Sequence, residues 1–279
     1  MYKTVSAASL AILLAGVSAP ALAQSVPDWS GPYIGVYGGV VENNEDAGEG
    51  LVFDRDFDGQ FDDTVVLSGT TTNAFGPGSC DGAAIGQASD AGCDVDPTGV
   101  EGSIRAGYDM RFGPLVVGLV GELSAVDLED SVTSFSGTPA AYVFTRQVEQ
   151  MAALRARVGF PVGRALVYAT GGAAKAKVEN GFRTTNTANS FTETVNEDDA
   201  DGYQLGGGVE WRLAPNLSVT GEYLYSNLQP GDYVVRAGPG TAGPANPFIQ
   251  PPNTTGTDIA RSNDGLDLHA LRIGMNVRF

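Results

Sequence analysis

The chain closes on Leu268-His269-Ala270-Leu271-Arg272-Ile273-Gly274-Met275-Asn276-Val277-Arg278-Phe279, a stretch that alternates without interruption. His269, Leu271, Ile273, Met275, Val277 and Phe279 share one parity; Leu268, Ala270, Arg272, Gly274, Asn276 and Arg278 share the other. Successive side chains of a strand point to opposite faces, so one side of this segment is greasy and the other is mixed and partly ionic. Two readings compete: an edge strand of a soluble sandwich, and the closing strand of a membrane barrel. A strand in hydrocarbon must pair on both edges and show lipid an apolar face. This ending, with an aromatic last residue, fits the second.

The opposite end is consistent with export. Met1 to Ala23 carries one early cation, Lys3, then the apolar run Leu10–Val17 and the small-residue triplet Ala21-Leu22-Ala23. That order is a secretory signal, and the run is shorter than the roughly 20 residues a membrane-crossing helix needs. We expect residues 1–23 to be removed and 24–279 to form one outer-membrane barrel domain. Losing Lys3 takes the formal charge from −17 to −18 (−17 − 1). So acidic a chain argues against nucleic acid as a partner. The acid is concentrated in the stretch 42–100, where Arg55 is the single cation.

Alternating patterns place eight strands: Tyr33–Val41, Glu101–Phe112, Leu115–Leu128, Gln147–Phe160, Arg164–Lys177, Gly202–Leu213, Leu217–Leu228 and a last strand to Phe279. The connections run long, short, long, short, long, short, long. The short ones hold Gly113-Pro114, Pro161-Val162-Gly163 and Ala214-Pro215-Asn216, residues suited to tight turns. Short turns on one side and long loops on the other mark a transmembrane barrel. The expected fold is therefore all-β: an eight-stranded antiparallel transmembrane β-barrel with both termini periplasmic and four long extracellular loops. The first and fifth strands mix Gly, Ala and aromatics too freely for their faces to be assigned.

One parity of the strands collects charge of both signs, including Arg105, Asp109, Arg111 and Arg212. The interior of an eight-stranded barrel is just wide enough for side chains to fill, and unpaired charge there is costly. We expect an interior ion-pair network of Glu122, Arg155, Arg157, Glu210, Glu222 and Arg272; a small ion path is the rival. Aromatics near strand ends (Tyr108, Phe112, Phe160, Trp211, Tyr223, Tyr225, Phe279) suggest interfacial girdles.

Within the first loop, Asp54, Asp56 and Asp58 alternate ahead of Gly59, with Asp62 further on. Oxygen donors at this spacing open a calcium loop, but the twelfth position is Val65 where a bidentate Glu is needed. A weak Ca²⁺ site competes with a solvated acidic loop. Cys80 and Cys93 are the only cysteines, and in an exported chain they are expected to form a disulfide bracing this loop, worth about 3 kcal/mol. His269 is the only histidine, and no catalytic constellation can be built around it, so no enzyme and no cofactor is expected. Gly206-Gly207-Gly208 is read as close strand approach.

Several segments together resemble the small eight-stranded outer-membrane β-barrel family, the surface-antigen and opacity-type, porin-like proteins of Gram-negative bacteria. They are Trp29-Ser30-Gly31-Pro32-Tyr33-Ile34-Gly35, Leu154-Arg155-Ala156-Arg157-Val158-Gly159, Leu166 to Ala174, Gly207-Gly208-Val209-Glu210, Thr220 to Tyr225, and His269 to Phe279. The resemblance implies an outer-membrane location, outer-membrane lipid and the barrel-assembly machinery as partners, and Phe279 as the insertion terminus. It implies no enzyme and no single ligand. The long acidic first loop and its cysteines depart from the family pattern. The expected role is structural. The alternatives are an adhesin or host-factor binder acting through loops 42–100 and 229–265, with an extracellular or host ligand, and a small-solute porin.

Overall fold

The computed structural model describes residues 28–43, 48–195, 199–263 and 265–279. The expected leader, residues 1–23, lies outside them. In chain order the strands are β1 (Gly31–Asn43), β2 (Leu51–Asp54), β3 (Ser79–Asp81), β4 (Ala83–Ala84), β5 (Cys93–Asp94), β6 (Gly99–Phe112), β7 (Leu115–Ser136) and β8 (Ala140–Val162). They continue with β9 (Ala165–Thr184), β10 (Ser190–Val195), β11 (Asp199–Ala214), β12 (Leu217–Pro230), β13 (Val234–Gly238), β14 (Thr257–Arg261) and β15 (Leu266–Arg278).

Eight of these close a ring in the order β1-β6-β7-β8-β9-β11-β12-β15, with β15 returning to β1. Every pairing is antiparallel. The terminal segment is the closing strand: Val36 pairs with Met275 on one side of it, and Val219 with Met275 on the other. Closure leaves the cylinder no free edge, as hydrocarbon requires. The tight turns fall where Gly and Pro suggest, with Gly113 and Gly163 at φ of 60° and 59°, where a side chain would be strained.

Parity sorts the wall. Ile34, Val36, Ile104, Leu119, Leu154, Leu205 and Ile273 point outward and are exposed, while their neighbours point inward and are buried or half-buried. The first strand, ambiguous in sequence, resolves the same way: Ile34 and Val36 face out, Tyr33 and Tyr37 face in. Phe112, Phe160, Trp211 and Phe279 ring the turn end, and Tyr203 and Tyr223 lie toward the loop end.

The loop end departs from expectation. β7 and β8 run on to a tight hairpin at 137–139, so the expected medium loop up to Arg146 is strand. Alternation fails there because both faces are covered: residues 130–135 are all buried. β3 takes the outer edge of β7, and the Thr133 hydroxyl donates to Gly82 O while accepting from Ala84 N. The three long connections 44–98, 185–198 and 231–265 supply β2, β10, β13 and β14, which form a separate sheet in the order β10-β13-β14-β2. Phe53, Val65, Phe75, Tyr142, Phe144, Val235, Phe248 and Ile259 pack into a second apolar core beneath it. Phe75 is the hub, 4.5 Å from Phe53 and 5.1 Å from Tyr142 between ring centroids. The acidic first loop is thus an ordered part of a cap, since its sparse apolar residues are placed to be buried.

Candidate functional site

The lumen is filled in layers. At the turn end Trp29 is fully buried beside Val116 and Leu166. The Arg212 and Arg278 guanidiniums lie 4.4 and 5.7 Å from its ring, and Arg278 donates to Trp29 O at 2.7 Å. The lead segment therefore plugs the mouth from which it enters.

Above it lies the first ionic cluster. Arg157 Nη2 contacts Asp109 at 2.5 Å and Glu210 at 3.0 Å. Arg278 Nη2 contacts Asp109 at 2.7 Å and Glu210 at 3.6 Å. The Ser218 hydroxyl donates to Glu210 at 2.6 Å. Two cations face two carboxylates.

The second cluster holds Arg105, Arg155 and Arg272 against Glu101, Glu122 and Glu222. Glu122 receives Arg105 at 2.5 Å, Arg272 at 2.8 Å and Arg155 at 3.0 Å. Glu222 receives Arg105 at 2.7 Å, Arg272 at 2.5 Å and the Tyr168 hydroxyl at 2.5 Å. Glu101 completes it at 3.3 Å from Arg272. Arg155 also donates to the Gln204 carbonyl. The Arg105 guanidinium stacks 3.6 Å from the Tyr37 ring centroid. Three cations meet three carboxylates, so each cluster is neutral by itself. Complete pairing is what permits ions at such burial.

The six residues expected to form one interior network are all inside, divided between the two clusters: Arg157 and Glu210 in the lower, Glu122, Arg155, Glu222 and Arg272 in the upper. Sequence reasoning left Arg105 and Asp109 out of the network although both share the inward parity. It also omitted Arg278, which has the parity of Arg272. The aromatic partners Tyr33, Tyr37 and Tyr168 gave no signal, since nothing in a Gly-rich strand says which ring will lie under a guanidinium, whereas Gln204 shares the parity of Glu210.

A third layer is apolar. Leu128, Val148, Leu224, Leu228, Leu266 and Leu268 project inward from four strands, each at most 3 % exposed. The second core of the cap follows above. Ionic, apolar and capping layers lie in series.

The loop residues fall as follows. Cys80 and Cys93 are joined in a disulfide with Cα atoms 6.1 Å apart. The carboxylates of Asp54, Asp56 and Asp58 lie within 4.8 Å of one another; Asp62 is not part of that group. Asp54 accepts from Phe57 N at 2.6 Å and Gly59 N at 2.9 Å, and Asp58 accepts from Gln60 N at 2.8 Å. These carboxylates fold their own turn, with Phe57 at φ 63°. Val65, the twelfth position of the calcium-loop pattern, is a fully buried core residue. A second carboxylate group, Asp81, Asp96 and Asp130, sits beside the disulfide. Burial pushes Asp96 up to about 7; the Ser131 amide opposes the rise, and Asp130, Asp81 and Glu129 add to it. His269 lies on the outer wall with its Nδ1 2.6 Å from the Tyr223 hydroxyl.

The chain matches the family model described as outer membrane protein beta-barrel domain over residues 9–279. It is 25% identical over 188 residues to a 31 kDa outer-membrane immunogenic protein of Brucella melitensis, covering 67% of this chain and 69% of that protein. It is 28% identical over 163 residues to a 22 kDa outer membrane protein of Rhizobium leguminosarum bv. viciae, covering 56% of this chain and 66% of that one. Among solved structures, OprG of Pseudomonas aeruginosa aligns with a TM-score of 0.49 at 12% identity, over 90% of this chain and 97% of that chain. The chain belongs to the outer membrane protein β-barrel domain family and is an outer-membrane protein of the cell envelope.

Proposed function

We propose that this outer-membrane β-barrel protein is a sealed structural barrel that holds an acidic, ordered cap at the cell surface. One observation carries the reading: the apolar layer of Leu128, Val148, Leu224, Leu228, Leu266 and Leu268 lies across the lumen directly above two neutral ionic clusters. A hydrated ion crossing it would lose its water with no polar group in return. Planar-bilayer recording tests this. The expected trace is flat at the baseline, and a steady conductance that follows protein insertion overturns the reading in favour of a small-solute porin.

A second reading, a surface-binding module, is favoured by one feature of the cap. The loop-end connections converge on a cavity of about 340 Å³ whose walls include Gln87, Thr138, Tyr142, Thr187 and Phe248 and carry no charged side chain. In so acidic a chain, a neutral recess with aromatic and hydroxyl walls suits an uncharged polar ligand. The Brucella relatives bear the name immunogenic, which fits an exposed cap. Binding of the parent, but not of Thr138→Trp, to neutral glycans supports this role; equal binding by both removes it.

A further inference from the structure

The outer wall carries its loop-side aromatics on one side only. Ten positions from Leu213, Leu217 and Phe279 at the turn end, β11, β12 and β15 present Tyr203, Asn227 and His269, with Tyr223 and Tyr225 close by. Ten positions from Phe112, Leu115, Phe160 and Ala165, the strands β6, β7, β8 and β9 present Gly102, Ala125, Gln150 and Lys175. A girdle of aromatics would ring the barrel; these rings form a patch on three adjacent strands. At about 3.3 Å per residue and a tilt of about 40°, ten positions span a height of roughly 25 Å, that of the apolar band. The patch therefore stands at the outer, loop-side border of the hydrocarbon.

Register brings its members together. Tyr225 lies opposite His269 and Asn227 opposite Asp267, while Tyr203 flanks Asn227 from β11 and Glu42 flanks His269 from β1. Ring centroids are 6.2 Å apart for Tyr203 and Tyr225, 5.3 Å for Tyr225 and His269 and 6.0 Å for Tyr223 and His269. The Tyr225 hydroxyl and the Asn227 amide both donate to Asp267 Oδ1, at 2.6 and 2.7 Å. Oδ2 keeps its acceptor sites, and no Lys or Arg among the described residues pairs with Asp267. Glu42 adds a second carboxylate, which accepts from the Thr98 hydroxyl at 3.2 Å. On the far side of Tyr203, Lys175 is held by Asp199 at 2.9 Å and Asp201 at 3.5 Å, so it does not compete for Asp267. The patch is both aromatic and acidic.

We propose that this patch seats the headgroup ammonium of a membrane lipid, against Asp267 and the rings of Tyr203 and Tyr225. The faces of aromatic rings are negative and attract a cation, the more so beside a carboxylate where water is scarce. An acidic rim that repels phosphate draws an ammonium. The occupant is a lipid and not a free amine, because the wall below the patch is greasy. Leu205, Leu271 and Ile273 are exposed there, and at Gly221 an added Cβ would meet nothing within 4 Å, which leaves a notch for an acyl chain.

Native mass spectrometry of the folded protein, released from nanodiscs of equal parts phosphatidylethanolamine and phosphatidylglycerol with identical acyl chains, tests this. The two lipids share a phosphate and differ in the ammonium. The parent should retain the ethanolamine lipid by about fivefold over the glycerol lipid. The net charge of the chain contributes to any such preference, so two variants matched in charge separate the patch from the overall field. Asp267→Asn should lose most of the preference. Glu149→Gln, on β8 across the ring from β15, should keep it. Heat-modifiable migration establishes that each variant is folded. If Asp267→Asn does not fold, Tyr203→Leu, which removes a ring and leaves the Asp267 hydrogen bonds in place, should lower the preference by about twofold or more. Equal retention of both lipids by the parent, an equal loss in the two charge variants, or an unchanged preference in a folded Asp267 or Tyr203 variant overturns the proposal.

Discussion

Glu222 of β12 and Arg272 of β15 stand directly opposite each other in register, and their side chains meet at 2.5 Å inside the lumen. The pair joins the closing strand to its neighbour at the point where the upper ionic cluster is densest. Both side chains are about 1 % exposed. Removing one partner leaves the other charged and dry, at a cost of about 3–5 kcal/mol. Glu222→Gln should therefore lower the urea midpoint of the lipid-reconstituted protein clearly. Replacing both, as Glu222→Leu with Arg272→Met, should recover much of that loss. A single variant as stable as the parent would mean that water reaches the cluster.

Glycine spacing makes a sharper contrast. A Cβ added at Gly172 would lie 2.0 Å from Leu154 O and 2.6 Å from Arg155 Cα, both backbone atoms of the neighbouring strand. At Gly121, on the outer wall, it would meet nothing within 4 Å. Gly172→Ala should cost about 1–3 kcal/mol or prevent folding, whereas Gly121→Ala should be neutral. Heat-modifiable migration and refolding yield read both, and equal behaviour of the two variants would contradict the register of β8 and β9. The same crowding applies at Gly206, whose added Cβ would lie 2.2 Å from Tyr223 O, in line with close strand approach at the triple glycine.

The Cys80–Cys93 disulfide spans 13 positions within the cap. Breaking it by Cys80→Ser and Cys93→Ser removes about 3 kcal/mol of loop restraint. The barrel below does not depend on that restraint. Limited proteolysis should therefore open the segment 79–96 while the heat-modifiable barrel persists. Loss of the barrel itself would show that cap and wall fold as one unit.

Asp96 supplies a pH dependence. Its carboxylate accepts from Ser131 N at 2.7 Å, and burial pushes it up to about 7 from an ordinary 3.8. Between those values the docked loop holds a proton that the undocked loop has released. Docking is therefore favoured at low pH and weakens as pH rises toward 7. The ratio of parent to Asp96→Asn cleavage by one protease should rise from pH 5 to pH 8, a comparison that cancels the protease's own pH response. A constant ratio would show that Asp96 does not titrate with docking.

What the sequence determined by itself was the cylinder. Alternation from Leu268 to Phe279, repeated in the other strands, states which side chains meet lipid, because a period of two leaves each residue one of two faces. Three Gly/Pro turns then set the order of the strands, and the inward parity announced that charge would have to be paired. Tertiary structure alone decided the rest. Which Arg meets which Glu depends on register around a closed ring, so one expected network became two neutral clusters with Arg105, Asp109 and Arg278 as members. The cap was illegible for a related reason. In residues 130–135 both faces are buried, so alternation vanishes, and the isolated apolar residues Phe53, Val65, Phe75 and Phe248 acquire meaning only when separate loops converge on one core. Local periodicity reports a surface between two solvents; contacts between distant segments leave no period to read.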